Sequence, residues 1–319
     1  MARMARLTTV SIRPEAEKGD VVGGNRRQAC EIIDRAARDG SDLVCLPEIF
    51  VHCNMSFEDV VENRAEPIPG PTTEFVGDAA RRNKCYVVIS MLERDGARVY
   101  NSAALLGRDG AVVGSYRKVW PTVSEFDRGI TPGTETPVFE ADFGRVGLSL
   151  CSDINYPNVW QGLADNGAQL VCWPSMQPAG FQLETWARMF GYYIMSACPP
   201  GAPGQGGRTN WILDMTGRKL AETGYMYPIC TAEVNFDREV FHWSHNAHKL
   251  EPIRDKYGSG TTVDLMQSEL NFALASNMAD VTVADIIEEF DLEPRRDFYT
   301  RVSAAREVVL RGLRGGSRP

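Results

Sequence analysis

The sequence predicts an α/β protein in which sheet strands carry helices on their faces. Three observations predict it. The chain opens with a short apolar run, a helix-period segment and a second apolar run, in β-α-β order. Apolar strands and amphipathic segments then keep alternating through the first two thirds of the sequence. Turn signals built on Asp, Gly and Pro separate them.

Arg6 to Ile12 reads as the first strand. Asn25 to Asp39 reads as an amphipathic helix, because Ala29, Ile32, Ile33 and Ala36 share one face, and Gly40 stops it. Asp42 to Leu46 is a short apolar strand ended by Pro47-Glu48. After the turn-rich Pro67 to Pro71, a helix over Thr72 to Asn83 leads to a strand over Cys85 to Met91. Arg98 to Leu106 and Ala111 to Tyr116 alternate as a hairpin around Arg108-Asp109-Gly110, where Asp-Gly suits a tight turn. Arg145 to Leu150 is a buried strand that ends at Cys151. Pro157 to Asn166 reads as a helix, Gln169 to Trp173 as a strand and Leu183 to Tyr193 as a helix. Trp211 to Met215 and Arg218 to Glu222 flank the turn Thr216-Gly217, and the strand Ile229 to Phe236 follows. The last eighty or so residues are more polar and read as helical, with helices at Thr282 to Phe290 and Ser303 to Gly312. The expected organisation is a catalytic domain over residues 1–243 and a C-terminal extension over 244–319, whose apolar positions Val283, Ile286, Ile287 and Phe290 suit contact with a neighbouring subunit.

Bulk properties narrow the function. Of 319 residues 43% are hydrophobic, enough for a sizeable core, so a disordered chain is excluded. A net charge of -8 speaks against a nucleic-acid partner, which would need a basic face. No stretch is long and apolar enough to span a membrane, and the N-terminus lacks the apolar run of a secretory leader. A cytoplasmic enzyme with no membrane partner is the expectation. The eight cysteines are scattered, with no Cys-x-x-Cys pair, which fits reduced thiols of which one reacts.

Three strand ends deliver reactive side chains: Glu48, Lys118 and Cys151. Carboxyl ends of strands line the binding crevice in open α/β sheets. A thiol near pH 7 needs a base or a nearby cation, and Glu48 and Lys118 are of those two types. Glu48 can take the thiol proton, pass it to a departing amine and then activate water, while Lys118 stabilises an oxyanion. No histidine is needed, and none of His52, His242, His245 and His248 stands beside a strand-end cysteine. His242, His245 and His248 stand three apart, a spacing that on one helix face suits zinc. No nearby Cys or carboxylate completes such a ligand set, so a pocket rim or an oligomer interface is the preferred reading.

The segments Leu46-Pro47-Glu48, Tyr116-Arg117-Lys118 and Leu150-Cys151-Ser152-Asp153 resemble the three signatures of the nitrilase superfamily of carbon–nitrogen hydrolases. They come in that family's order. The stretch Trp120-Pro121 to Glu125-Phe126, with Gly129 and Pro132-Gly133, resembles the family's segment after the lysine, and Glu125 matches its second glutamate. Trp173-Pro174-Ser175 and Trp186-Ala187-Arg188 resemble later signatures. The resemblance covers about residues 6 to 240. It implies a four-layer α-β-β-α sandwich, a homodimer or larger homo-oligomer, and no metal or organic cofactor; to the sandwich the residues after 243 add a C-terminal helical extension. It implies an oxyanion hole shared by Lys118 and the Ser152 backbone N–H, with Glu125 orienting Lys118 and the substrate. Trp120, Tyr156, Trp173 and Ser175 are the candidate substrate-binding residues, and Asp153 reads as structural. The loops Val51 to Asp59, Gln177 to Phe181 and Pro199 to Gly207 would shape the pocket.

Departures from the family pattern bear on substrate. Nitrile-hydrolysing members usually carry Trp-Glu after the cysteine, whereas Ser152-Asp153 is more typical of amidases and carbamoylases. The arginine that often clamps an amino-acid carboxylate is replaced by Ile154-Asn155. The helix after Arg188 reads Met189-Phe190-Gly191-Tyr192 where the family usually has Glu-Asn. The reading is hydrolysis of a small linear amide or N-carbamoyl compound through a cysteine thioester. Nitrile hydrolysis, acyl transfer to an amine and a silent binding scaffold are the alternatives.

Overall fold

Two six-stranded sheets build the part of the molecule that carries Glu48, Lys118 and Cys151. The computed structural model describes residues 3–201, 209–224 and 226–315. The first sheet holds β1 (Met4–Val10), β2 (Leu43–Cys45), β3 (Tyr86–Asp95), β4 (Arg98–Leu106) and β5 (Val112–Arg117). The second holds β6 (Val138–Ala141), β7 (Gly144–Leu148), β8 (Leu170–Pro174), β9 (Tyr193–Ala197), β10 (Trp211–Leu213) and β11 (Lys219–Glu222). β12 (Ile229–Asn235) returns to the first, giving the orders β12-β1-β2-β3-β4-β5 and β11-β10-β9-β8-β7-β6. The β1–β2–β3 and β7–β8–β9 runs are parallel, as helical crossovers require, and β3–β4–β5 is an antiparallel meander.

Side-chain alternation explains the layering. Val44, Val87, Ile89, Met91, Ala104 and Leu106 pack with Ala29, Ile32, Ile33 and Ala36 of the helix Val21–Arg38 and with Val76, Ala79 and Ala80 of Pro71–Asn83. Their strand neighbours Leu43, Cys45, Val88, Ser90, Ala103 and Leu105 are also fully buried, so this sheet is covered on both faces. The second sheet buries Val171, Trp173 and Ile194 against Val159, Trp160 and Leu163 of the helix Pro157–Asp165 and Leu183 and Trp186 of Phe181–Phe190. The sheets also meet through hydrogen bonds: Thr9 Oγ1 donates to the Ser196 carbonyl (2.5 Å) and Asn210 Nδ2 to the Val10 carbonyl (2.8 Å). This is the expected α-β-β-α sandwich.

Chain tracing divides the molecule into two compact units, one over residues 5–234 and one that joins the first described residues to the chain from Asn235 onward. The second unit differs from the helical reading of the C-terminal segment. β13 (Arg238–His242), β14 (Thr261–Met266) and β15 (Asn271–Ser276) form an antiparallel sheet in the order β13-β15-β14. Phe241, Phe272 and Leu274 pack there with Ile253, Val283, Ile286 and Leu292. The helices Val283–Glu289 and Arg295–Gly315 are present, the second reaching further in both directions than the sequence suggested. A second correction falls in the catalytic unit. The helix read as far as Tyr193 ends at Phe190, because Gly191 adopts φ +72°, and Tyr193 instead opens the central strand β9.

Candidate active site

Each reactive side chain stands just beyond a strand. Leu46 N–H still bonds to the Val88 carbonyl (3.0 Å), then Pro47 and Glu48 leave the sheet. Ile49 turns the chain with φ +45°, its N–H held by Ser90 Oγ at 2.6 Å. Lys118 follows β5 and keeps one ladder bond, from its N–H to the Asn101 carbonyl (2.8 Å). Cys151 opens a 3-10 turn over Cys151–Asn155 with φ +41°. That left-handed conformation costs a non-glycine residue about 1–2 kcal/mol, and it persists only when neighbours over-determine it. Here Trp173 Nε1 donates to the Cys151 carbonyl (3.1 Å), and the Asp153 carboxylate accepts from Leu150 N–H (3.0 Å), Trp120 N–H (2.8 Å) and Tyr116 Oη (2.6 Å). Trp160 Nε1 adds a bond to the Asp153 carbonyl (3.0 Å).

The charged groups converge. Lys118 Nζ lies 3.2 Å from Glu48 Oε1 and 3.1 and 2.9 Å from the two Glu125 oxygens. Glu48, Lys118 and Glu125 are all buried. Glu125 is placed by a capping box, in which Thr122 Oγ1 accepts from Glu125 N–H and Glu125 Oε2 accepts from Thr122 N–H (2.7 Å). Met176 N–H donates to Glu48 Oε2 at 2.9 Å and also faces the Cys151 sulfur, as does the Ser175 hydroxyl. A glutamate and a thiol are thereby brought to the same backbone amide.

Charge and burial oppose each other in this cluster. Burial works against the Lys118 ammonium, but the charges of Glu48, Cys151 and Glu125 outweigh it and hold its pKa above the ordinary lysine range. Burial works against the Glu125 carboxylate too, yet Lys118 and the Asn101 amide keep it below the usual range. Cys151 goes the other way. Burial, and then the Glu48 charge, push its thiol up to about 12, against the pull of Lys118. The resting nucleophile candidate is therefore a thiol beside a carboxylate rather than a preformed thiolate.

Other residues fall in different places. Trp120 and Tyr156 stack with centroids 4.1 Å apart and planes at 6°, and Trp120 is partly exposed. Ser152 Oγ donates to the Trp120 carbonyl (2.5 Å). Trp173 and Ser175 are fully buried, and the Ser175 hydroxyl donates to the Gln177 carbonyl at 2.7 Å. Asp153 is buried, and burial pushes its carboxyl up to about 6 in spite of three donors. The histidine row does not share a helix face: His242 ends β13, His245 lies in the short helix Trp243–Asn246, and His248 follows in a 3-10 turn. His242 instead stacks on Phe298, centroids 4.1 Å apart. Of the pocket-shaping loop Pro199 to Gly207, residues 202–207 lie outside the described residues. Asn101 and Met176 were not anticipated. The Met176 contact is made by its backbone, which leaves no mark in the sequence. Asn101 did leave one, as an amide side chain among the mostly apolar residues of the strand Arg98–Leu106.

Comparison with known proteins identifies the family. Residues 21–238 match the carbon–nitrogen hydrolase family. An omega-amidase of Xenopus laevis is 26% identical over 250 residues, covering 72% of this chain and 88% of that protein. A beta-ureidopropionase of Arabidopsis thaliana is 32% identical over 167 residues, covering 49% of this chain and 40% of its own length. In fold, an amidase from Nesterenkonia sp. superposes with a TM-score of 0.64 at 20% identity, covering 73% of this chain and 90% of that one. A variant of that amidase carries the acetamide moiety of fluoroacetamide on its active-site cysteine. With more than half of its length matched, and with the resemblance read from its strand-end motifs, the chain belongs to the carbon–nitrogen hydrolase family.

Proposed function

We propose that this protein hydrolyses the terminal C–N bond of a small linear amide, or of an N-carbamoyl compound, through a thioester on Cys151. The observation that carries the proposal is the buried cluster in which Glu48, Glu125 and Lys118 meet within 3.2 Å and Glu48 shares the Met176 N–H with the thiol. As the sulfur attacks the carbonyl carbon, its proton passes to Glu48. The oxyanion forms against Lys118 Nζ and the Ser152 backbone N–H, and one such donor is worth about two to three orders of magnitude in rate. Glu48 returns the proton to the nitrogen, the C–N bond breaks and ammonia leaves. Water then attacks the thioester, Glu48 takes its proton, the C–S bond breaks and the thiol regains its hydrogen. Glu125 holds Lys118 in line. Trp120 and Tyr156 offer an aromatic face to the substrate chain, while Trp173 and Ser175 act from behind it by holding the Cys151 turn. The omega-amidase relatives favour a terminal carboxamide, and the beta-ureidopropionase relative an N-carbamoyl group.

Beyond the chemistry, we propose a catalytic domain over residues 1–243 and an extension over 244–319 that contacts another subunit of a homodimer or larger assembly in the cytoplasm. Among the described residues no helix is long and apolar enough to cross a membrane. Ammonia release from matched amide, N-carbamoyl and nitrile compounds tests the reaction. Turnover of an amide that disappears in Cys151→Ala is the expected result. Turnover of the nitrile alone, or amide turnover that survives Cys151→Ala, would defeat it.

A further inference from the structure

Asn101 touches three of the four groups in this cluster, and no family motif quoted above includes it. Its side-chain amide donates to Glu48 Oε1 at 2.9 Å and to Glu125 Oε1 at 2.8 Å. Its backbone carbonyl accepts the Lys118 N–H at 2.8 Å. The residue is 2% exposed and lies in the middle of the meander, opposite Leu92 on β3, with Ser102 beside it paired to Arg117 on β5.

We propose that Asn101 is a positioning residue for the hydrolytic reaction: one neutral amide group ties the carboxylates of Glu48 and Glu125 together and fixes both around a single ammonium. The inference rests on the proposed reaction for its meaning but on hydrogen-bond geometry for its content.

Two carboxylates close together repel, and the ordinary remedy is a shared proton. Lys118 supplies one positive charge for two negative ones. The Asn101 NH2 group, with two hydrogens on one nitrogen, spans the remaining gap without adding charge. Its orientation is forced, because turning the amide over would set Oδ1 against two carboxylate oxygens. The cost of this orientation is visible. Asn101 Oδ1 is buried with no hydrogen-bond partner among the described residues. A buried acceptor left unpaired is destabilising, so an apolar residue of similar size would serve packing better. The Asn101 donors also help to hold Glu125 below its ordinary pKa against burial. The titratable groups that face the amide come from separate elements: Glu48 after β2, Lys118 after β5, Glu125 from the helix Val123–Asp127, with Cys151 after β7 acting on the same lysine.

The test uses Asn101→Leu, similar in size and without donors, and Asn101→Ala, which adds no bulk. Either substitution retains the backbone bond to Lys118. Two readouts are taken on the full-length protein. The first is the pH profile of kcat/KM on whichever amide the parent hydrolyses. The expected result is a fall of about a hundredfold, mostly in kcat, with the acid limb moved up by about one pH unit as Glu125, without the Asn101 donor, takes up a proton more readily. The second readout needs no substrate: alkylation of Cys151 by iodoacetamide, read by mass spectrometry against the other cysteines. With the Glu48 carboxylate displaced from the thiol, Cys151 should be alkylated several-fold faster at pH 7–8 while the other thiols stay slow. An acid limb that stays in place with unchanged Cys151 alkylation in a folded variant would overturn the proposal, as would reactivity that rises equally at all thiols. If the parent turns over no amide, the proposed reaction fails, and the alkylation arm alone decides the role of Asn101.

Discussion

Cys151 is half-buried beside a carboxylate, and both circumstances keep its proton on. With the thiol pushed up to about 12, the thiolate fraction near neutrality is small and grows about tenfold per pH unit. Iodoacetamide should therefore label the resting protein at a rate that climbs through pH 8, 9 and 10 without a plateau. Glu48 has two opposing effects here: its charge disfavours the thiolate at rest, yet it is the group that accepts the proton during attack. Glu48→Gln separates them. Amide turnover should drop by about two to four orders of magnitude, whereas alkylation of Cys151 at pH 7–8 should become faster, since the repelling charge is gone and Lys118 remains. A Glu48→Gln protein whose Cys151 is alkylated more slowly than the parent would show that the carboxylate does not raise the thiol pKa. Glu48, Lys118 and Cys151 were legible in the sequence because each closes a recognisable run, and Glu125 was legible only through the family resemblance of the stretch after Lys118. Asn101 was legible only as an oddity in a strand, since its meaning depends on two carboxylates arriving from elsewhere in the chain.

At the level of elements, the loop after β5 and the turn after β7 set how well those side chains meet. Gly133 N–H bonds to the Lys118 carbonyl at 2.8 Å, and a Cβ on Gly133 would lie 2.1 Å from the Arg117 carbonyl oxygen. Gly133→Ala must therefore push the backbone that carries Lys118. Activity should fall by at least about tenfold, since small misplacements at a reacting centre are expensive, with the melting temperature lowered as well. Ammonia-release kinetics beside a thermal melt would measure both, and parent-like values in both would contradict the contact. Asp153→Asn tests the turn itself. An amide replaces one of two oxygens that accept from Tyr116, Leu150 and Trp120, leaving buried donors unpaired at a cost of about 1–3 kcal/mol. Urea unfolding should show that loss together with reduced kcat, and equal unfolding midpoints would remove the assigned role. The strand ends could be read from apolar runs stopped by Pro, Gly or charge. The strand Tyr193–Ala197 could not, because Tyr192 to Met195 suits helix and strand alike and only the Gly191 conformation separates them.

For the whole molecule, the least predictable part was the chain beyond Asn235. Its sheet pairs Arg238–His242 and Thr261–Met266 with Asn271–Ser276 across loops containing polar helical turns, so local composition hid the strands. Its last helix is a different case. Arg295–Gly315 contains six arginines against Asp297 and Glu307, on a chain of net charge -8. Val302, Val309 and Leu313 lie exposed along it at spacings of seven and four. Under the proposed assembly, this basic and partly apolar helix meets an acidic neighbour of the same kind. Deleting residues from 296 onward should lower the oligomer size seen by light scattering, and raised salt should weaken the intact assembly. An unchanged mass after deletion would place the subunit contact elsewhere.

The cluster of two carboxylates around one ammonium also bears on what happens once hydrolysis is over. The acid just formed is a third anion beside two carboxylates that share one ammonium, so it is expelled electrostatically as soon as it ionises. Ammonium, formed from the ammonia that left before water attacked, meets the opposite field and is drawn back. Accumulated ammonium rather than accumulated acid should then be the brake on turnover, and rebinding of the acid for the reverse synthesis should be disfavoured.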